Sequence, residues 1–230
     1  MLDETLFEEH FTDVLSHSHL YNERAPQDFD IENLVDRGML ERFLQAQPHV
    51  WSRLQEAYGN DATDAVIKEY NNHLYRGEAM QTILRKGLTL RGIKVKLMQL
   101  KPVLGGEGTE NYKLYLENRF SIVRQMKYST AAKDKDNRLD LCILINGMPI
   151  ITCELKNEGT GQNYLNAIHQ YRNDRDADNR MLKTCMVHFA IDNNYVFMTT
   201  KLNGLNTRFL PFNRETQNMP IQGEYPTAYM

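Results

Sequence analysis

Apolar positions recur at helical spacing through the first third of the chain and at strand spacing after it. Leu6, Phe7, His10, Phe11, Val14 and Leu15 predict an amphipathic helix over residues 3–17, with Asp3 as a possible N-cap. After a polar loop with Pro26, residues 31–46 and 48–58 read as two helices, with Pro48 just inside the second. Asp61 can cap a longer helix over 62–86 that Gly87 ends. The period then changes from 3.6 to 2. Ile93, Val95, Leu97 and, less regularly, Leu100 predict a strand over 92–101, and 105–110 is a Gly-rich loop. Residues 119–128 alternate through Phe120, Ile122, Met126 and Tyr128, and the polar stretch 129–138 reads as a mobile connection. The apolar runs 139–145 and 148–155 meet at Asn146-Gly147, a strong hairpin signal. A helix over 161–175 carries Leu165, Ile168 and Tyr171 on one side. The runs 184–191 and 195–200 flank the turn residues Asp192-Asn193-Asn194, and the tail from Asn213 has no periodicity. Together these predict an α+β fold: a helical N-terminal segment over 1–91, a mixed-sheet core over 92–212 and a linker over 213–230.

At 230 residues, with 41% hydrophobic and 25% charged side chains, the composition is that of a globular protein. No apolar run approaches the roughly 20 residues of a membrane helix, and the acidic start MLDETLFEEH is no secretory signal. The three cysteines, Cys142, Cys153 and Cys185, lie in apolar runs, an odd number better suited to a reducing compartment. These features predict a cytoplasmic protein without a membrane partner. The net charge of −3 hides a split: residues 1–84 hold 16 acids and 6 bases, residues 85–230 hold 14 acids and 21 bases. A basic second half is compatible with a polyanionic partner.

The candidate chemistry lies in Arg138-Leu-Asp-Leu-Cys-Ile-Leu-Ile-Asn-Gly-Met-Pro-Ile-Ile-Thr-Cys-Glu-Leu-Lys-Asn157. Asp140, Glu154 and Lys156 are charges within apolar strands, and a buried unpaired charge costs several kcal/mol. Two carboxylates supply the hard oxygen ligands that Mg²⁺ prefers, and a lysine beside them can orient a water or stabilise a phosphorane. An ion pair at an exposed strand end is the alternative that spacing leaves open. Glu154 and Lys156 share a face. A two-residue loop at Asn146-Gly147 would pair Asp140 with Cys153 and put Asp140 and Glu154 on opposite faces. A three-residue loop would bring all three together, so the chemistry calls for an odd-length loop. No zinc spacing, no Gly-x-Ser-x-Gly elbow and no Gly-x-x-x-x-Gly-Lys-Ser/Thr loop occurs.

An acid at a strand start followed by Glu-Leu-Lys on the next strand resembles the PD-(D/E)xK nuclease pattern. More specifically, the stretch is similar to the N-terminal nuclease domain of type I restriction enzyme R subunits, the motor-and-cleavage subunit. The resemblance extends to Ala46-Gln47-Pro48 with Trp51, to Arg119–Tyr128, and to Val187–Asp192, Phe197–Leu202 and Arg208–Asn213. It implies that Asp140 and Glu154 are metal ligands, that Lys156 is the catalytic lysine, and that Glu8 (with Glu9 competing) is the acid of the first helix. Tyr171 matches the tyrosine of the family's Gln-x-x-x-Tyr motif. Ala167 stands where the glutamine would be, which leaves Gln170 as a substitute only from another angle. Leu139 replaces the proline before the first acid.

The resemblance further implies Mg²⁺-dependent cleavage of double-stranded DNA without sequence recognition by this module. Arg124, Lys127, Arg138, Arg172 and Arg175 would be DNA contacts. The modification and specificity subunits would be partners. ATP and S-adenosylmethionine would act only through motor domains and partner subunits outside this chain, which resembles an N-terminal fragment. The competing reading is a catalytically silent DNA-binding or subunit-docking module.

Overall fold

A computed structural model of the chain describes residues 4–19, 21–103, 106–132, 134 and 136–212. Asp3, Gly105, Lys133, Lys135 and the tail from Asn213, all of which carried sequence expectations, lie outside them. The first elements are α1 (Glu4–Asp13), continued by a π-helical turn over Val14–Ser18, and β1 (Asn22–Arg24). There follow β2 (Phe29–Asp30), β3 (Val35–Asp36), α2 (Arg37–Gln45), α3 (Pro48–Tyr58), α4 (Ala62–Tyr75), α5 (Met80–Lys86), β4 (Leu88–Leu90), β5 (Ile93–Val95) and α6 (Glu110–Leu116). The remainder is β6 (Phe120–Lys127), β7 (Arg138–Ile145), β8 (Met148–Leu155), α7 (Tyr164–Asn173), α8 (Arg180–Thr184), β9 (Val187–Ile191), β10 (Val196–Thr199) and β11 (Leu210–Pro211).

The fold is α+β. Its main sheet has seven strands in the order β1-β6-β7-β8-β9-β10-β11. It is mixed, because β8 runs parallel to β9 while β9 and β10 are antiparallel. Two compact units divide the chain. One gathers the described residues of Met1–Pro26, Ile122–Ile143 and Pro149–Met230, and the other those of Gln27–Ser121 and Leu144–Met148. The first holds most of the large sheet together with α1, α7 and α8. α1 buries Phe7 and Phe11, the π-helical turn buries Leu15, and α7 seats Ala167 and Ile168 against Ala190 with Tyr164, Phe197 and Phe209 around them. The three cysteines are free and buried there, and burial pushes the Cys142 and Cys153 thiols well above their ordinary range. The second unit holds α2 to α6 with the hairpins β2–β3 and β4–β5 around Leu34, Leu40, Phe43, Leu44, Leu54, Val66, Tyr70 and Ile83. No helix among the described residues is long and apolar enough to cross a membrane.

Several elements differ from their sequence expectation for local reasons. The helix expected over 31–46 starts only at Arg37. Upstream, the Asp30 carboxylate accepts the N–H groups of Glu32 and Asn33 at 2.9 and 3.0 Å, which favours a turn over a helix. Asp36 is the actual N-cap, accepting from Met39 N at 3.1 Å. The helix expected over 62–86 is two helices, separated where Gly77 takes φ +78°. Asp61 precedes the first of them without a side-chain cap bond. The strand expected over 92–101 is reduced to β5, paired with β4 through Leu88↔Val95 and Leu90↔Ile93, and Leu100 is exposed. Helix α6, capped by Thr109, and α8, capped by Asn179, were not legible from periodicity because each is short.

Within the second unit Gly147 sits at φ +86°, and its carbonyl accepts from Asp36 N at 2.8 Å. A Cβ there would run into the Asp36 carbonyl oxygen. Gly147→Ala should therefore lower stability by about 2–4 kcal/mol, the sum of backbone strain and overpacking. The midpoint of urea unfolding would measure it, and a shift no larger than that of Gly92→Ala, where a Cβ meets open space, would contradict it.

The motif Ala46-Gln47-Pro48 with Trp51 serves this unit's framework. The buried Gln47 amide donates to Phe43 O at 3.3 Å and Lys96 O at 3.0 Å, and Pro48 opens α3, where its missing N–H costs nothing.

Candidate active site

Glu154 lies on β8, which is flanked by β7 and β9 and is buried at seven of its eight positions. The N–H of Lys156, one residue beyond the strand, donates to Ile191 O at 2.8 Å, and Met186 N donates to Ile150 O on the same side. Even-numbered residues of β8 therefore direct their backbone groups towards β9, and the Leu155 N–H points the other way, towards β7. There it is met by a side chain: Asp140 Oδ2 accepts it at 2.8 Å. The same oxygen lies 3.7 Å from Lys156 Nζ.

The loop between β7 and β8 is the two-residue one, with Asn146 at φ 46° and Gly147 at φ 86°. The odd-length loop that the chemistry called for is absent, yet Asp140 still reaches the Glu154–Lys156 end of β8. It does so by capping a backbone N–H of the neighbouring strand, a possibility that counting residues from the turn leaves out.

Glu154 is fully buried. Its Oε1 accepts from Arg175 Nε at 2.7 Å, and its Oε2 has no hydrogen-bond partner among the described residues. Burial, and then the neighbouring Asp140 carboxylate, push the Glu154 carboxyl well above its ordinary range, with Arg175 and Lys156 pulling against them. Arg175 is fixed from three sides. It bonds Glu154, donates to Arg138 O at 2.7 Å, and lays its guanidinium 5.4 Å from the centre of the Tyr128 ring.

On the other side of Asp140, Glu8 of α1 is 5% exposed. It takes a hydrogen bond from Gln125 Nε2 at 2.8 Å and lies 3.6 Å from the Arg124 guanidinium. The Gln125 amide is also 3.5 Å from Asp140 Oδ1. Glu9 is exposed, and only the edge of the Arg124 guanidinium comes near it, at 3.9 Å. The structure thus places Glu8, not Glu9, beside Asp140.

Tyr171 is buried, but it touches neither acid. Its hydroxyl bonds Thr152 Oγ1 at 2.8 Å, and Thr152 bonds His188 Nδ1 at 2.7 Å. His188 also has a backbone partner at Leu182, so the chain runs in one sense: Tyr171 donates to Thr152, which donates to the ring. Gln170 is half-buried. At the glutamine position of the motif Ala167 packs against Ala190, where a longer side chain would have to displace the core cluster.

The five basic residues expected on DNA differ in availability. Lys127 and Arg138 are exposed. Arg124 is turned to Glu8, and Arg172 is engaged by Thr207 O at 2.7 and 3.0 Å. Arg175 is 6% exposed and bound to Glu154, which a phosphate contact would require it to leave. Sequence reasoning missed Gln125 and the Arg175–Glu154 pair, since neither belongs to a motif.

Burial holds His188 down at about 4, against 6.5 for the free side chain. A histidine whose folded value is lowered contributes stability that is present above pH 6.5 and is lost as the pH falls towards 4. The loss should reach about 3 kcal/mol. The raised Glu154 carboxyl tilts the pH profile the opposite way, so the check is the difference in unfolding free energy between wild type and His188→Gln from pH 7.5 to 4. A difference that does not change with pH would contradict it.

No three His, Cys, Asp or Glu side chains among the described residues form a group able to hold a metal ion by themselves. Mg²⁺ asks for less: one or two carboxylates, with waters and phosphate oxygens completing its shell. Asp140 and the unpartnered Glu154 Oε2 are such a pair. A buried carboxylate oxygen without a partner costs of order 1–3 kcal/mol, which a cation would relieve, so the donor set fits the ion.

The mixed-sheet fold and the clustered Asp140, Glu154 and Lys156 are compatible with a nuclease-like domain. The chain belongs to the family of type I restriction enzyme R protein N termini, whose sequence profile matches residues 1–207. No curated protein matches the chain.

Proposed function

We propose that this chain is the endonuclease module of a type I restriction enzyme R subunit, hydrolysing phosphodiester bonds of double-stranded DNA with Mg²⁺. The observation that carries the proposal is the pair of buried acids whose charge the surrounding protein leaves incompletely compensated: Glu154 Oε2 without a partner, and Asp140 close enough to push the Glu154 carboxyl up. Structural ion pairs are normally arranged to close such deficits.

Asp140 and Glu154 would hold the ion. When bound, Mg²⁺ would polarise the scissile phosphate and acidify an attacking water. Lys156, with its backbone bonded to Ile191 and its ammonium 3.7 Å from Asp140, would orient that water and stabilise the negative charge on the phosphate oxygens. Arg175 keeps one Glu154 oxygen occupied, which directs the other to the ion. Lys127 and Arg138 would meet the DNA backbone, in contacts that weaken with salt.

ATP-driven delivery of the DNA, and S-adenosylmethionine dependence, would come from motor domains and from the modification and specificity subunits. A module that reads no sequence is restrained by needing that delivery, so the chain alone should cut DNA poorly. The test is cleavage of plasmid DNA by the assembled complex, with Asp140→Ala as the variant. Unchanged cleavage by that variant would leave only the reading of a silent docking or DNA-binding module.

A further inference from the structure

Gln125 is the one residue of the site whose backbone is strained. It sits inside β6 at φ 49°, in the left-handed region that side-chain-bearing residues occupy only at a cost of order 1–3 kcal/mol. Such a conformation persists only where the surroundings impose it. Its geometric consequence can be read from the contacts. Successive side chains of a strand point to opposite faces, yet Arg124 and Gln125 both reach Glu8, at 3.6 and 2.8 Å. The irregular residue turns two consecutive side chains towards one carboxylate.

The partners also fix which end of the amide does the work. Glu8 and Asp140, when ionised, can only accept, so the NH₂ group must face them. One NH₂ group carries two donors, and here two carboxylates from different elements lie within its reach, at 2.8 and 3.5 Å. The Gln125 backbone carbonyl in turn accepts from the Arg138 guanidinium at 3.3 Å.

We propose that Gln125 is a positioning residue: its amide ties Glu8 to Asp140 and so fixes the orientation of Asp140 as a metal ligand. This rests on the reading of Asp140 and Glu154 as the ion's ligands. Gln125 touches neither water nor phosphate in this role, and it acts through the two acids.

The test is calorimetric titration of the 230-residue chain with Mn²⁺, used as the probe for the divalent site. Gln125→Met keeps the length of the side chain and removes the donors. It should weaken Mn²⁺ binding about 10-fold, the scale of losing a group that orients a ligand. Glu8→Gln should weaken it comparably. The double variant Glu8→Gln, Gln125→Met should bind within about twofold of the weaker single variant, because both changes cut the same link. A residue that merely filled space would give additive losses, about 100-fold in the double variant on the same scale.

Additive losses, or a Gln125→Met chain that binds as tightly as wild type, would overturn the role of Gln125. Should Gln125→Met fail to fold, Gln125→Gly removes the same amide while relaxing the backbone, and the same comparison applies. Asp140→Ala separates the two layers. If it binds Mn²⁺ as tightly as wild type, or if wild type does not bind at all, the metal reading itself fails. If only the Asp140 variant loses binding, the metal reading stands and Gln125 has no part in it.

Discussion

Replacing Asp140 or Lys156 by alanine should abolish DNA cleavage by the assembled restriction complex while its ATP hydrolysis continues. The expected fall is about 10³-fold or more, since on the proposed function each change would remove a charge that acts on the reacting phosphate or its ion. Asp140 supports three things at once: it lies against Lys156, it caps the Leu155 N–H, and it receives the Gln125 amide. Lys156 makes the cleaner variant, because its backbone bond to Ile191 survives truncation of the side chain. ATP hydrolysis should be untouched because the sequence contains no Gly-x-x-x-x-Gly-Lys-Ser/Thr loop to bind a nucleotide's phosphates. The measurement is paired: linearisation of plasmid and release of phosphate from ATP in the same reaction. Cleavage within tenfold of wild type would remove these residues from the chemistry. Loss of both activities in a folded, assembled variant would show that the domain does a different task.

Truncating Arg175 should destabilise the chain by about 3–5 kcal/mol, the cost of leaving one member of a buried ion pair alone. The pair is 2.7 Å apart, with side chains 4% and 0% exposed. Arg175→Ala would strip Glu154 of the Arg175 hydrogen bond, and would also remove the contact to Arg138 O and the packing over Tyr128. Arg175→Lys should recover little, because an ammonium cannot serve a carboxylate and a carbonyl while lying flat over a ring. The double variant Arg175→Met, Glu154→Leu should be far more stable than Arg175→Ala, since it removes both charges. Guanidinium unfolding at pH 8 would decide it. A loss below about 1 kcal/mol, as is usual for exposed pairs, would mean that Arg175 is free to leave Glu154 and remains available to a phosphate.

Much of the site was legible along the chain because ionised residues rarely lie in apolar strands without a reason. Asp140, Glu154 and Lys156 stood out on that ground alone, and Asn146-Gly147 marked the turn between their strands with the residue types that tolerate positive φ. The register did not follow from the turn. A two-residue loop argued against a shared site, and what brings Asp140 to Lys156 is a side chain bonding the neighbouring strand's backbone. Glu8 and Glu9 are adjacent identical residues, and only the packing of α1 distinguishes the buried one from the exposed one.

The class of fold, the longer helices and strands, and the three charged positions of the candidate site can be read along the chain. Those properties depend on local periodicity, turn chemistry and the cost of burying charge, all of which act over a few residues. Only the tertiary structure decided what each charge faces. Arg175, 21 residues beyond Glu154, pairs with that carboxylate. Gln125, in a strand with no motif, reaches an acid 117 positions away. Tyr171 spends its hydroxyl on Thr152. Contacts of this kind join side chains from separate elements, and their partners are chosen by how helices and sheet pack, which no pattern within one segment records.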